Sequence, residues 1–247
     1  MKSSDFFVVL SVMSIVLLNS CTSLLPVAER EQSPFVAVAE PLTPMQTKVQ
    51  ALQALPNLYK EQAGERQSAL PTKTLKEFQA ALALKQQGKI PQARKQFITL
   101  SEQHPDLSGI WLQLALLIKQ QDKSQEKFDI EKRHKDMIRY LDNAISANPL
   151  NYLAHNELAQ VLRKQGQFEQ ALSHYELAIK SWPAFAQGYL NRGILYDLYM
   201  GRKSLALADY ELYQVLSNDS SRQLKGWIID LQRQIKRAQQ VTKIGAM

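Results

Sequence analysis

Residues 152–185 read YLAHNELAQVLRKQGQFEQALSHYELAIKSWPAF, and this stretch decides the fold. Within it Ala171 is followed by Tyr175, Ala178 and Pro183, at offsets of 4, 7 and 12. Ala93, Phe97, Leu100 and Pro105 repeat the same offsets. Five residues before each leading alanine stands a glycine: Gly166 before Ala171, Gly88 before Ala93, and Gly201 before Ala206. Glycine reaches positive φ at little steric cost, so each marks a reversal between two helices. Small residues at these intervals let paired helices approach, and aromatic ones fill the groove between neighbouring pairs. Self-similarity at a fixed interval signals a repeat architecture. Heavy use of Ala, Leu, Gln, Lys and Glu, with no run of alternating β-branched residues, makes it all-α.

The spacing resembles the tetratricopeptide repeat (TPR), a helix-turn-helix unit of about 34 residues. The resemblance implies an all-α TPR solenoid of about four repeats over 74–220, with a C-terminal capping helix and an extended N-terminal tether. The first unit, 74–107, places Ala80, Ala81 and Leu84 in helix A, and Ala93, Phe97 and Pro105 in helix B. The second, 108–151, has Trp111, Leu114, Ala115 and Ile118, then Leu141, Ala144 and Pro149. The third, 152–185, has Leu158, Ala159, Leu162 and Phe168 before the run quoted above, and the fourth, 186–220, has Tyr189, Gly193, Tyr196, Ala206, Tyr210 and Tyr213.

Five departures stand out. The second unit carries about ten extra, highly charged residues around Asp122 to Glu131 and puts Met137 in a normally small slot. The fourth has Arg192 in an apolar slot, one extra residue in helix A before Gly201, and Asn218 in place of the final proline. After Ser220, the residues Leu224, Trp227, Ile228, Leu231 and Ile235 fall on one helical face. A terminal repeat leaves an apolar face wet, so 221–247 reads as a basic capping helix and tail.

Upstream, Lys2 precedes an apolar run from Phe6 to Leu18, shorter than the roughly 20 residues that cross a bilayer and suited to a secretory leader. The following Leu18-Asn19-Ser20-Cys21 resembles the lipobox of bacterial lipoproteins. That resemblance implies a signal peptide at 1–20 and lipidation of Cys21, with several acyl chains giving near-permanent attachment. Thr22 after the cysteine implies the periplasmic face of the outer membrane rather than the inner one. An uncleaved anchor from Phe6 to about Leu25 is the competing reading. Prolines at 26, 34, 41 and 44 make 21–45 an extended tether. Within the lead-in, 46–73, Val49, Leu52 and Leu55 suggest a short amphipathic helix over 46–55, ended by Pro56.

By resemblance, helix A lines the partner groove. Transferring its slots gives Leu75, Phe78, Leu82 and Lys85 in unit one, and Leu112, Leu116 and Lys119 in unit two. Unit three supplies Leu153, Asn156, Gln160 and Arg163, and unit four Gln187, Leu190, Asn191, Ile194 and Asp197. One end is apolar and the other polar, which suits an amphipathic helix or an extended peptide. Whether the helix at 46–55 itself covers Leu75, Phe78, Leu82 and Leu112 stays open at this level.

Catalytic signatures are missing: there is no Gly-rich phosphate loop and no serine in a nucleophile-elbow context. His104, His134, His155 and His174 lack metal-ligand spacing, so no cofactor or metal is expected. The formal charge of +7 arises largely from the tail, where Arg222, Lys225, Arg233, Lys236, Arg237 and Lys243 face only Asp230. A solvated face explains that better than nucleic acid does. The expectation is therefore a non-enzymatic protein-protein interaction scaffold with a protein or peptide in its groove. The alternative is an inner-membrane accessory protein of pilus, secretion or TonB-ExbB-type machinery. A cell-wall enzyme and a salt-sensitive DNA binder are the remaining competitors.

Overall fold

The computed structural model describes residues 42–68, 70–121 and 128–245. Cys21, the leader, most of the proposed tether and the charged stretch 122–127 lie outside them. Among the described residues there are eleven helices and no strand. In chain order they are α1 (Pro44–Gln53), α2 (Leu58–Ser68), α3 (Thr72–Gln86), α4 (Ile90–Gln103), α5 (Ser108–Gln121), α6 (Phe128–Ala147), α7 (Tyr152–Lys164), α8 (Phe168–Ser181), α9 (Ala186–Leu198), α10 (Lys203–Ser217) and α11 (Arg222–Gly245). Four helical hairpins, α3–α4, α5–α6, α7–α8 and α9–α10, form the stack, each second helix also packing on the first helix of the next pair. Helix α11 closes the series against α10.

The turn glycines do what their spacing requires. Gly88, Gly166 and Gly201 have φ of 74°, 78° and 65°, and an added Cβ would be strained there whatever the space around it. Asn218 ends α10 in the same left-handed region at φ 54°, so an Asn replaces the missing terminal proline as the helix stop. Ser221 then starts α11, its Oγ accepting from the Leu224 backbone N–H at 3.3 Å.

Small residues form the seams between helices. Ala81, Ala93, Ala115, Ala144, Ala159, Ala171 and Ala206 are fully buried, with Phe97, Leu141, Tyr175 and Tyr210 between them. A buried side chain of that size contributes about 1.5–3 kcal/mol by leaving water. Gly193 marks the tightest seam: a Cβ there would meet the Tyr210 ring at 2.8 Å and Asp209 Cβ at 3.3 Å.

Several sequence expectations need correction. The lead-in helix starts at Pro44, not Gln46, because Thr43 and Gln46 build a reciprocal capping box and proline fits the first helical turn. Pro44, expected to break helix in the tether, therefore helps begin one. It also ends at Gln53, short of Leu55. Helix α2 falls within the short helical lead-in read at 46–73 but as a second helix separate from the one expected at 46–55; Asn57 caps it by accepting from the Lys60 N–H at 3.0 Å, and its mostly polar sequence carries little periodic signal. The extra residue of unit four lies in the turn, since α9 and α7 both span 13 residues and the Arg202 N–H bonds back to the Tyr196 carbonyl at 2.9 Å. In unit two, residues 128–131 of the charged insertion belong to α6, which runs to 20 residues.

Candidate interaction surface on the first helices of the repeats

The first helices of the second, third and fourth pairs, α5, α7 and α9, are fixed by a recurrent bond at their fourth position. Trp111 Nε1 donates to the Pro105 carbonyl at 2.8 Å, and the Tyr189 hydroxyl donates to the Pro183 carbonyl at 3.0 Å. His155 Nε2 meets the Pro149 carbonyl at 2.9 Å. In each case a bulky side chain with a polar tip reaches the carbonyl of the proline six residues earlier, which closed the preceding unit. An aromatic body with a polar tip supplies the carbonyl with a donor while filling space. Ser108 and Asn151 reinforce the second and third units. Ser108 Oγ donates to the Ala144 carbonyl at 2.6 Å, Asn151 Nδ2 donates to Ser108 Oγ at 2.7 Å, and Asn151 Oδ1 caps α7 through the Ala154 N–H at 3.0 Å.

The residues assigned to the groove divide into two groups. Leu112, Asn156 and Asn191 are buried, so they lie beneath the surface rather than on it. Asn191 Nδ2 donates to Asn156 Oδ1 at 2.8 Å, and Gln187 Nε2 donates to Asn191 Oδ1 at 3.2 Å. Leu75, Phe78, Leu82, Lys85, Leu116, Gln160, Arg163, Leu190 and Ile194 are half-buried, while Lys119, Leu153 and Gln187 are exposed. Phe78 meets Phe97 edge to face at 5.6 Å, tying the apolar end to the core.

Neighbouring units are stitched across this face. Lys85 Nζ donates to Gln113 Oε1 at 2.7 Å, and Lys119 Nζ pairs with Glu157 Oε2 at 2.7 Å and reaches Gln160 Oε1 at 3.3 Å. The Arg163 guanidinium lies over the Tyr199 ring at 5.4 Å. Asp197 accepts from Lys203 Nζ at 2.7 Å and from the Tyr210 hydroxyl at 3.4 Å. Burial and the Asp197 carboxylate together push the Tyr210 hydroxyl well above its ordinary range, so it stays protonated as a donor.

The structure answers the question left open about the lead-in. Helix α1 packs on α10 through Val49, buried against Tyr189 and Leu212, and so does not cover Leu75, Phe78, Leu82 and Leu112. Helix α2 supplies Tyr59, which meets Tyr152 edge to face at 5.9 Å, with the Lys60 ammonium over the Trp182 ring at 5.6 Å. Tyr59, Leu75, Phe78, Gly109 and Ile110 line a cavity of about 190 Å³. Part of the apolar end is thus covered by the chain's own Tyr59.

Two features of unit three and unit four escaped the sequence reading. Arg192 in its apolar slot makes two hydrogen bonds of 2.8 Å to Asp209, and its guanidinium stacks near Tyr189 and Tyr196 at 5.6 and 5.8 Å. An acid 17 positions later was the available signal. His155 and His174, read as scattered, meet Nδ1 to Nδ1 at 2.9 Å because α7 and α8 pair. The Pro149 carbonyl can only accept, so His155 carries its proton on Nε2 and His174 donates from Nδ1. Burial, then the neighbouring His155, pushes His174 down to about 4.

Comparison with known proteins agrees with this geometry. Residues 138–184 and 157–221 match the tetratricopeptide repeat model. No curated protein sequence matches the chain. Among solved structures, MamA 41-end from Desulfovibrio magneticus RS-1 is similar in fold, with a TM-score of 0.53 at 14% identity, covering 71% of this chain and 95% of that one. PilF of Pseudomonas aeruginosa superposes with a TM-score of 0.53 at 19% identity, over 66% of this chain and 69% of its own. At such identities the likeness concerns fold alone. Residues 138–221 thus carry tetratricopeptide repeats, and the helical hairpins fold as a TPR-type solenoid.

Proposed function

We propose that this protein is a non-enzymatic interaction scaffold, a TPR lipoprotein held through acylated Cys21 on the periplasmic face of the outer membrane, recruiting partners to an envelope assembly or regulatory complex. The observation that carries the binding role is the row of first helices. Their outward slots leave Leu153 and Leu198 at 37% and 68% exposure beside half-buried Leu116, Leu190 and Ile194. Apolar side chains left partly open along a row of first helices, beside Lys119, Gln160 and Gln187, suit a partner helix or peptide. Attachment rests on the Leu18-Asn19-Ser20-Cys21 motif; no helix among the described residues is long and apolar enough to cross a membrane.

Two measurements test the two halves. The mass of the mature N-terminal peptide should show acylated Cys21; an unmodified cysteine behind an intact leader refutes the anchor. Co-purification from solubilised envelope should return a stoichiometric partner that an Ile194→Asp, Leu116→Asp variant loses. Retention of that partner by the variant refutes the assigned face.

A further inference from the structure

Helix α11 is more than a lid. Its buried residues Leu224, Ile228 and Leu231 stand at the intervals of His155, Ala159 and Leu162 in α7, all of them buried, and of Tyr189, Gly193 and Tyr196 in α9. It is therefore placed as the first helix of a fifth unit that has no second helix. In that register Arg222, Lys225, Ile229 and Arg233 of α11 take the slots of Gln187, Leu190, Ile194 and Leu198 in α9, and of Leu153, the buried Asn156, Gln160 and Lys164 in α7. Lys236 follows on the same side. All five are exposed, Ile229 at 46%.

The charge balance along this wall is one-sided. Glu157 and Asp197, the acids of the neighbouring first helices, are already paired with Lys119 and Lys203 at 2.7 Å each. Asp230 is engaged by Gln234 Nε2 at 2.7 Å. Among the described residues, Arg222, Arg233 and Lys236 form no ion pair, and Lys225 makes no direct salt bridge but acts electrostatically on the exposed Asp219 carboxylate. Arg222 and Lys236 are 14 residues apart, so at about 1.5 Å per residue the basic row runs roughly 21 Å, the length of a four-turn helix.

We infer that the α9–α11 end of the face binds an acidic amphipathic helix. Its apolar side rests on Leu190, Ile194, Leu198 and Ile229, and its carboxylates meet Arg222, Lys225, Arg233 and Lys236. The apolar strip supplies area, and the basic row fixes orientation and excludes neutral or basic helices. This rests on the face being a partner site, and it names the partner's chemistry.

The test uses the full-length chain and three fluorescein-labelled 18-residue probes: a Leu/Glu amphipathic helix, the same helix with Lys for Glu, and a scrambled Leu/Glu sequence. Fluorescence anisotropy should show the Leu/Glu helix binding at least about ten-fold tighter than the other two, with an advantage that shrinks as salt rises. The charge-reversed variant Lys225→Glu, Arg233→Glu, Lys236→Glu alters only exposed positions and should keep its helical circular dichroism while transferring preference to the Leu/Lys helix. Equal affinity for all three probes, or a preference untouched by the reversal, overturns the inference. If Leu116→Asp abolishes probe binding while the α11 reversal changes nothing, the face is a partner site but α11 is not its basic wall. A parallel arm compares retention on phosphatidylglycerol and phosphatidylcholine vesicles. An α11-dependent preference for the anionic vesicles without discrimination among the peptides overturns the inference in favour of a lipid surface.

Discussion

Asp209→Asn should destabilise the C-terminal half of the stack, because it leaves Arg192 charged and largely dehydrated. The pair is bidentate at 2.8 Å, with side-chain exposures of 19% for Arg192 and 4% for Asp209. Removing one partner of a buried ion pair typically costs about 3–5 kcal/mol. Two features lower that figure here: Arg192 keeps some water, and its guanidinium retains the Tyr189 and Tyr196 rings, each worth about 0.5–1 kcal/mol. About 2–3 kcal/mol is therefore expected for Asp209→Asn. For Arg192→Leu we expect about 3–4 kcal/mol, since the stranded carboxylate is the more buried partner. The double variant Arg192→Leu, Asp209→Leu restores an apolar slot and should lie within about 1 kcal/mol of the parent. For a body of this size, 1 kcal/mol moves Tm by about 2–4 °C, so Asp209→Asn should lower it by about 4–12 °C. Urea and thermal melts followed by circular dichroism of Arg192→Leu, Asp209→Leu and the double variant complete the double-mutant cycle, whose coupling energy should exceed about 2 kcal/mol. A double variant as unstable as the sum of the singles would refute the reasoning, and so would an Asp209→Asn protein indistinguishable from the parent.

Gly193→Ala should cost about 1–3 kcal/mol, because its Cβ meets the Tyr210 ring at 2.8 Å, whereas Gly226→Ala in α11, with nothing within 4 Å, should stabilise by about 0.5–1 kcal/mol. Urea midpoints of the two variants should move in opposite directions. Tyr189→Phe removes the bond to the Pro183 carbonyl and should cost about 0.5–1.5 kcal/mol in the same assay, with no loss of helix content at 25 °C. The His155–His174 pair makes stability pH-dependent. His174 is held at about 4 against an unfolded value near 6.5, so the unfolded chain binds more protons between those pH values. Its contribution is complete above pH 6.5 and is lost as pH falls toward 4, amounting to about 1–2 kcal/mol after discounting for partial exposure. Urea midpoints at pH 7.5 and 5 should differ in the parent and much less in His174→Leu.

What the sequence shows and hides follows from how far each signal reaches. The Ala171, Tyr175, Ala178 and Pro183 spacing and the glycines at 88, 166 and 201 are local, set by the backbone of one turn or by contact between adjacent helices. They therefore convey the TPR solenoid directly. Which groove slots face solvent depends on the next unit. Asn156 and Asn191 look like polar surface on a single helix, yet they are buried because they hydrogen-bond each other across α7 and α9. Arg192 looks like a defect until Asp209 is placed beside it. Tyr59 and Val49 belong to short helices whose docking sites lie far along the chain, on α7 and α10, and no periodicity encodes such a distant partner. The role of α11 was half visible: its apolar stripe reads as a cap. The register that turns Arg222, Lys225 and Arg233 toward the shared face needs the buried positions of α7 and α9 for comparison.

Site-specific photo-crosslinking in intact cells tests the central claim most directly, with the reactive group placed at Ile194 or Leu116 on the first helices, and at Leu177, an exposed position on the second helix α8. The account predicts one discrete adduct from Ile194 and Leu116 and none from Leu177. An adduct formed from Leu177 alone, with the first-helix positions silent, would contradict it.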